Sequence, residues 1–184
     1  MLHLIIGGSA SGKSAFGEQA ALDTGAETRY YLAAMHPWGK EGKERVIRHR
    51  KQRSGKGFYT IEAYHHLEKV LLGAGEKEGR VVLLECMSNL VANEQFEAGG
   101  SDKEILQRVK RGIRHLQTCA EYVIVITNEV FSDGNVYEEQ TRRYLALLGQ
   151  VNQDLACMAD QVTEVVYGIG VPVKNIDSSL WNFV

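Results

Sequence analysis

Eight consecutive residues near the start of the chain have the types and spacing that phosphate chemistry needs. Gly7-Gly8-Ser9-Ala10-Ser11-Gly12-Lys13-Ser14 matches G-x-x-x-x-G-K-[ST], a Walker A phosphate loop. The glycines let the backbone curl so that successive N–H groups point at phosphate oxygens, and the start of the following helix adds positive potential. Lys13 is then placed to reach the terminal phosphates as the electrostatic catalyst, and Ser14 to ligate Mg²⁺ through its hydroxyl. The bland alternative is a glycine-rich turn with a solvated lysine. The apolar run Leu2-His3-Leu4-Ile5-Ile6 just before the loop, and the helical pattern just after it, argue against that alternative.

A phosphate loop also needs a carboxylate near the metal, usually at the C-terminal end of a buried strand. Val81-Val82-Leu83-Leu84-Glu85 ends an apolar run in an acid, which makes Glu85 the second candidate for Mg²⁺. Asn89 and Asn93 follow at helical spacing and are weaker candidates for the same cleft. Between residues 40 and 56 eight basic side chains stand against two acids, in a chain whose formal net charge is -2. Within this segment Arg48 and Arg50 flank His49, and neighbouring positive charge disfavours the cationic form of an imidazole. A neutral imidazole is a nucleophile able to form covalent intermediates. On spacing alone, a solvated basic helix face carrying an incidental histidine is the default reading of the same residues.

Other residues carry less. His36, before Pro37, competes with His49 as nucleophile but has no basic cluster around it. His65 and His66 fall in a pattern that predicts an amphipathic helix, where adjacent residues diverge and form no ligand pair. His3 and His115 read as ordinary strand and helix residues, Trp38 as a stacking or packing aromatic, and Asp133 as a turn residue.

Apolar, β-branched or aromatic runs at 2–6, 28–34, 80–84, 122–127 and 161–167 predict strands buried on both faces. Helical periods cover 14–23, 43–52, 63–73, 102–119 and 138–159, with Ile105, Val109, Ile113 and Leu116 at steps of three and four. Strands alternating with helices imply a mostly parallel sheet, because parallel strands need crossovers. Stretches 73–79 and 97–100 read as exposed loops, and the tail from 175 has no clear period. The expected fold class is α/β, P-loop NTPase-like, in three layers around a mostly parallel central sheet, with residues 1–184 forming one catalytic domain.

With 184 residues, 44% hydrophobic and 24% charged, the chain can bury a core without staples, which excludes disorder, collagen and coiled coil. The near-neutral balance gives no global field for nucleic acid or anionic lipid. Three cysteines without C-x-x-C spacing read as reduced, hence a cytoplasmic setting. The start of the chain lacks signal-peptide character, and no apolar run has the length of a membrane span.

Several stretches together resemble the bifunctional cobinamide kinase and cobinamide-phosphate guanylyltransferase family of cobalamin biosynthesis. They are the phosphate loop, Tyr31-Leu32-Ala33-Ala34, Arg45-Val46-Ile47-Arg48-His49-Arg50-Lys51-Gln52-Arg53, Thr60-Ile61-Glu62, and Leu83-Leu84-Glu85-Cys86-Met87 with Asn93. Thr127-Asn128-Glu129-Val130, Gly149-Gln150-Val151-Asn152-Gln153 and Gly168-Ile169-Gly170-Val171-Pro172-Val173-Lys174 continue in the same order, so the likeness runs from residue 2 to about 174. The resemblance implies one phosphate-loop site serving two steps. A nucleoside triphosphate, ATP or GTP, phosphorylates the aminopropanol hydroxyl of cobinamide; GTP then guanylylates a histidine, and the GMP passes to cobinamide phosphate. The family histidine falls on His49. Nucleotide contacts fall on the phosphate loop, on Ala33, Ala34 and Met35, on Arg50, Lys51, Gln52 and Arg53, and on Glu62 and Glu85. A homotrimer with nucleotide sites near subunit interfaces is also implied.

Two stretches depart from the family. Phe131-Ser132-Asp133-Gly134-Asn135-Val136-Tyr137 stands where the family has a glycine-rich turn ending in proline, keeping one glycine and losing the proline, and Met35-His36-Pro37-Trp38-Gly39 stands where the family has an acidic, alanine-rich segment. Two other functions fit the same motifs: a small-molecule kinase in which His49 only contacts phosphate, and a GTP-binding regulatory module. The module reading is weakened by the lack of an N-K-x-D guanine-reading motif.

Overall fold

The computed structural model describes residues 1–37, 39–130 and 137–175; within α2 (Gly39–Arg53) the side chains of Glu41, Lys43, Arg45, His49 and Gln52 lie outside the description. Trp38, Asp133 with the rest of 131–136, and the tail 176–184 are therefore outside it too. Among the described residues one sheet contains β1 (Leu2–Gly7), β2 (Thr28–Ala33), β3 (Phe58–Glu62), β4 (Arg80–Glu85), β5 (Tyr122–Asn128), β6 (Gln161–Val166) and β7 (Ile169–Asn175), in the order β3-β2-β4-β5-β1-β6-β7. Every neighbouring pair is parallel except β6 and β7. The strand carrying the phosphate loop and the strand ending in Glu85 are thus separated by β5.

Alternation along the central strands sorts side chains to the two faces with period two. Leu4, Val82, Leu84, Val123 and Val125 pack in one core with Leu90 of α3 (Met87–Asn93), Ile105 and Ile113 of α4 (Asp102–Cys119), and Leu148 and Val151 of α5 (Glu139–Met158). Ile5, Val81, Leu83, Ile124 and Ile126 turn the other way, toward Ala21 of α1 (Lys13–Asp23). Three layers result, as the alternating pattern requires. On α1, a Cβ at Gly17 would lie 2.8 Å from Ile126 Cδ1, so this glycine lets the helix sit directly on the sheet. Among the described residues no helix is long and apolar enough to cross a membrane.

Several local expectations are corrected. Residues 63–73 do not form a helix; only Leu67–Lys69 makes a 3₁₀ turn. The main chain here bonds to side chains of other elements instead: His66 N donates to Glu94 Oε1 (2.7 Å), Val70 O lies 2.8 Å from His115 Nε2, and Gly73 N donates to Tyr30 Oη (3.2 Å). His65 and His66 accordingly lie in a turn, with His66 at φ 54°. Strand β3 has an exposed burial pattern and no apolar run to reveal it. β7 forms a hairpin with β6 through Tyr167 and Gly168, both at positive φ, as a two-residue hairpin turn requires. β6 buries Val162 in one core and Val165 in the other, its remaining residues being half-buried or exposed, and a π-helical turn, Glu94–Ala98, occupies part of an expected loop.

Candidate active site

The strand registers align Gly7 with Asn128, Ile126 with Glu85, and Ala33 with both Glu85 and Glu62, so the C-terminal ends of β1, β5, β4, β2 and β3 form one row. Crevices outside such ends are where open α/β sheets bind ligands. A cleft of about 670 Å³ opens there, within the roughly 300–1,000 Å³ usual for small-ligand sites.

Ser9, Ala10, Ser11, Gly12, Lys13 and Ser14 form one wall of the cleft. Ala10 and Gly12 take positive φ (59° and 90°), which curls the loop before α1 begins at Lys13. Gly12 is also close-packed, since a Cβ there would lie 3.1 Å from Gly168 Cα, and Gly168 N donates to Ser11 O at 2.7 Å. The β6–β7 hairpin therefore braces the loop. Lys13 Nζ donates to Gly8 O at 2.8 Å. Burial holds its ammonium below the ordinary lysine value, with Cys86 and Glu85 acting in the opposite direction. Gly7 and Gly8 contribute main chain: Gly7 O accepts from Glu129 N (3.0 Å) and Gly8 O from Ser11 N (3.3 Å).

Facing the loop, Glu85 accepts from Ser14 Oγ of the loop at its Oε1 and from Tyr31 Oη at its Oε2 (2.8 Å). A hydroxyl and a carboxylate brought together are hard oxygen donors, the set a small divalent cation takes. Ser14 and Glu85 therefore fit Mg²⁺. Arg53, at the end of α2 and only 7% exposed, lays its guanidinium 3.3 Å from the Tyr31 ring centroid. Its Nη1 is buried without a hydrogen-bond partner among the described residues. Sequence reasoning quoted Tyr31 only within the Tyr31-Leu32-Ala33-Ala34 stretch and gave it no role of its own; its partner Glu85 lies 54 residues away, where no local pattern points.

Behind Glu85, Cys86 Sγ lies 2.9 Å from Ser88 Oγ and accepts from Asn89 Nδ2 at 3.3 Å. Asn128 Nδ2 donates to Ser88 Oγ (2.5 Å), and Tyr144 Oη to Ser88 O (3.0 Å). Burial pushes the Cys86 thiol up, which favours its neutral form as a partner of Ser88 and Asn89. Asn89 and Asn128 both line the cleft. Asn93 does not: its amide donates to Ala34 O (2.8 Å) and Tyr64 O (2.9 Å), tying together the segments that leave β2 and β3.

On the far rim stand Ala33, Met35, Glu62 and Tyr64, with Arg48, Arg50 and Arg53 of α2. Arg50 Nη2 lies 3.6 Å from Glu62 Oε1, both exposed. His36 stacks on Tyr64 with centroids 3.7 Å apart and meets Glu97 at 3.0 Å, which makes it part of the rim's scaffold. Ala34 is buried in the core beneath the rim, and Lys51 is exposed on α2 away from the cleft lining. His49 stands on α2 one helical turn before Arg53; its side chain, like that of Gln52, is outside the description.

A doubly covered, mostly parallel sheet with this loop and an acid on a strand beyond the neighbouring one defines a P-loop nucleotide-binding protein. Among solved structures an ATPase domain has this fold, with a TM-score of 0.50 over 96% of this chain and 77% of that one at 13% identity. The family model described as cobinamide kinase / cobinamide phosphate guanyltransferase matches residues 3–173, and the chain belongs to that family. It is 34% identical over 186 residues to the bifunctional adenosylcobalamin biosynthesis protein CobU of Escherichia coli (strain K12), covering 95% of this chain and 100% of that protein. Against the corresponding protein CobP of Pseudomonas aeruginosa it is 28% identical over 178 residues, covering 95% and 98%.

Proposed function

We propose that this chain, acting as one catalytic domain over residues 1–184, phosphorylates the aminopropanol hydroxyl of cobinamide and then joins GMP from GTP to the resulting phosphate through a guanylyl group on His49. The observation that carries this reading is that one cleft brings together the phosphate loop, the Ser14–Glu85–Tyr31 group and the arginines of α2. Family membership supplies the substrates.

Phosphoryl transfer is mostly positioning and charge stabilisation. Lys13, whose ammonium sits against Gly8 O, has only to turn from that carbonyl to meet a terminal phosphate on the same loop. Mg²⁺ held by Ser14 and Glu85 would neutralise phosphate charge. Of the carboxylates lining the cleft, Glu62, Glu85 and Glu129, it is Glu62 or Glu85 that accepts the proton of the substrate hydroxyl. In the second step a ring nitrogen of His49 attacks the α-phosphorus of GTP, the bond to the β-phosphate oxygen breaks, and pyrophosphate leaves. An oxygen of cobinamide phosphate next attacks the same phosphorus, the P–N bond breaks and GDP-cobinamide is released. Arg48, Arg50 and Arg53 supply the donors for the charge that develops, and Arg53 Nη1 is already buried at the cleft with no partner among the described residues.

The reading includes a homotrimer and a cytoplasmic setting, the latter supported by three free cysteines. The test is incubation with α-phosphate-labelled GTP and Mg²⁺, denaturation, and a search for acid-labile, base-stable label on the protein. Label on wild type and none on His49→Ala is expected. An unlabelled, well-folded and GTP-binding wild type would remove the transferase half.

A further inference from the structure

One ion pair built on a buried carboxylate takes no part in the chemistry above. Glu18 lies on α1 one turn beyond Ser14, 1% exposed, and Lys56 Nζ, on a side chain 34% exposed, donates to its Oε2 at 2.5 Å. Its Oε1 is buried with no hydrogen-bond partner among the described residues. Lys56 is the third residue past the end of α2, in a turn closed by Ser54 N to Lys51 O (3.2 Å) and Lys56 N to Arg53 O (3.0 Å). The pair therefore joins the helix that begins at the phosphate loop to the turn that directly follows the helix carrying His49.

Burying the carboxylate of an ion pair costs solvation that the pairing offsets only in part, so its presence is weak evidence for stability. What charges do supply is direction, because a buried carboxylate tolerates its ammonium in few places. The second tie at this end of α2 is Arg53 on the Tyr31 ring, 3.3 Å from its centroid. Among the described side chains of the helix Lys40, Glu44, Ile47, Arg48, Arg50 and Lys51 are exposed and Val46 is half-buried, and Arg53 at its C-terminal end is the one that is buried.

From this arrangement we infer that Lys56 is a positioning residue for guanylyl transfer: paired with Glu18, it fixes the end of α2 on the phosphate-loop helix and so sets how far the His49 backbone stands from a GTP α-phosphorus. The inference rests on His49 being the nucleophile. Attack needs the reacting atoms about 3–3.5 Å apart, and a misplacement of about 1 Å costs on the order of 100-fold. Phosphorylation of the cobinamide hydroxyl relies on Lys13, Ser14 and Glu85, none of which is on α2, and it does not need that distance.

The experiment follows both activities in wild type, Lys56→Met, Lys56→Arg and Glu18→Gln: cobinamide phosphorylation by ATP, and the rate of protein labelling from α-phosphate-labelled GTP. Lys56→Met is expected to label on the order of 100-fold more slowly with phosphorylation unchanged. Lys56→Arg should recover most of the labelling, and Glu18→Gln, nearly isosteric with the native side chain, should behave as Lys56→Met does. The unchanged kinase rate doubles as the folding control. Equal losses in the two activities would reduce the pair to a structural one, and unchanged labelling in Glu18→Gln would overturn the inference outright. A wild type that takes no label would instead defeat the His49 reading, and with it this one.

Discussion

Replacing Tyr31 by Phe removes one oxygen and nothing else, which makes it the sharpest probe of how Glu85 is held. The phenol is 4% exposed, and burial, then the Glu85 charge, push it well above the ordinary tyrosine value, so it remains a donor to Glu85 Oε2 at 2.8 Å throughout the working pH range. A hydrogen bond to a charged partner contributes about 1.5–3 kcal/mol. Glu85 is only half-buried and regains some solvation, so the lower end applies: about 1.5 kcal/mol, close to a tenfold change in an equilibrium constant. With Glu85 holding Mg²⁺ as proposed, the functional loss should be larger, because partners that orient a metal-binding carboxylate typically carry 10–100-fold in metal affinity or activity, here expected to be about 30-fold in cobinamide phosphorylation. Tyr31→Leu also takes the ring from beneath Arg53, adding about 2 kcal/mol for the lost desolvated cation–π contact. Urea unfolding gives the stabilities and steady-state phosphorylation at varied Mg²⁺ gives the function. A Tyr31→Phe protein as stable and as active as wild type would refute the reasoning, and so would Phe and Leu variants that lose labelling by GTP to the same extent.

Two further outcomes test the scaffold around the site. Arg108→Met leaves Glu94, 1% exposed and bonded to His66 N, as an unpaired buried carboxylate, and should lower stability by about 3–5 kcal/mol in urea unfolding; a loss below about 1 kcal/mol would mean water reaches Glu94. His3, hydrogen-bonded to Thr163 Oγ1 at 2.8 Å, has its pKa lowered by burial. The unfolded chain therefore binds the proton more readily, so stability is complete above the ordinary histidine value, falls as pH drops through it toward the folded value, and then levels. His3→Gln should flatten the stability profile between about pH 7 and pH 5; identical slopes in the two proteins would show that the ring protonates freely in the fold.

The chemistry that depends on contiguous residues was legible at once. The phosphate loop, its preceding strand and its following helix are one unbroken segment, and Glu85 was marked by the apolar run it ends. The amphipathic spacing of Ile105, Val109, Ile113 and Leu116 likewise identified α4 and its buried face. Residues 63–73 misled because apolar spacing there matched a helix while the main-chain partners lay on Glu94, His115 and Tyr30, which no local pattern reveals. β3 escaped notice because an edge strand that leaves both Tyr59 and Thr60 exposed needs no apolar alternation.

Local order along the chain was thus enough to mark which segment can hold phosphate, which carboxylate ends a buried strand, and which helix concentrates arginines around a histidine, since each depends on backbone geometry and charge within a dozen residues. Which of these meet was settled in three dimensions. Inserting β5 between β1 and β4 sets the spacing of the phosphate loop from Glu85, and the crossovers bring Tyr31 to Glu85, Arg53 to Tyr31 and Lys56 to Glu18 across separations of 54, 22 and 38 residues. Those partnerships are side chain to side chain between elements far apart in the chain. They exist only once strand order and helix packing have placed both members, and burial makes each of them directional.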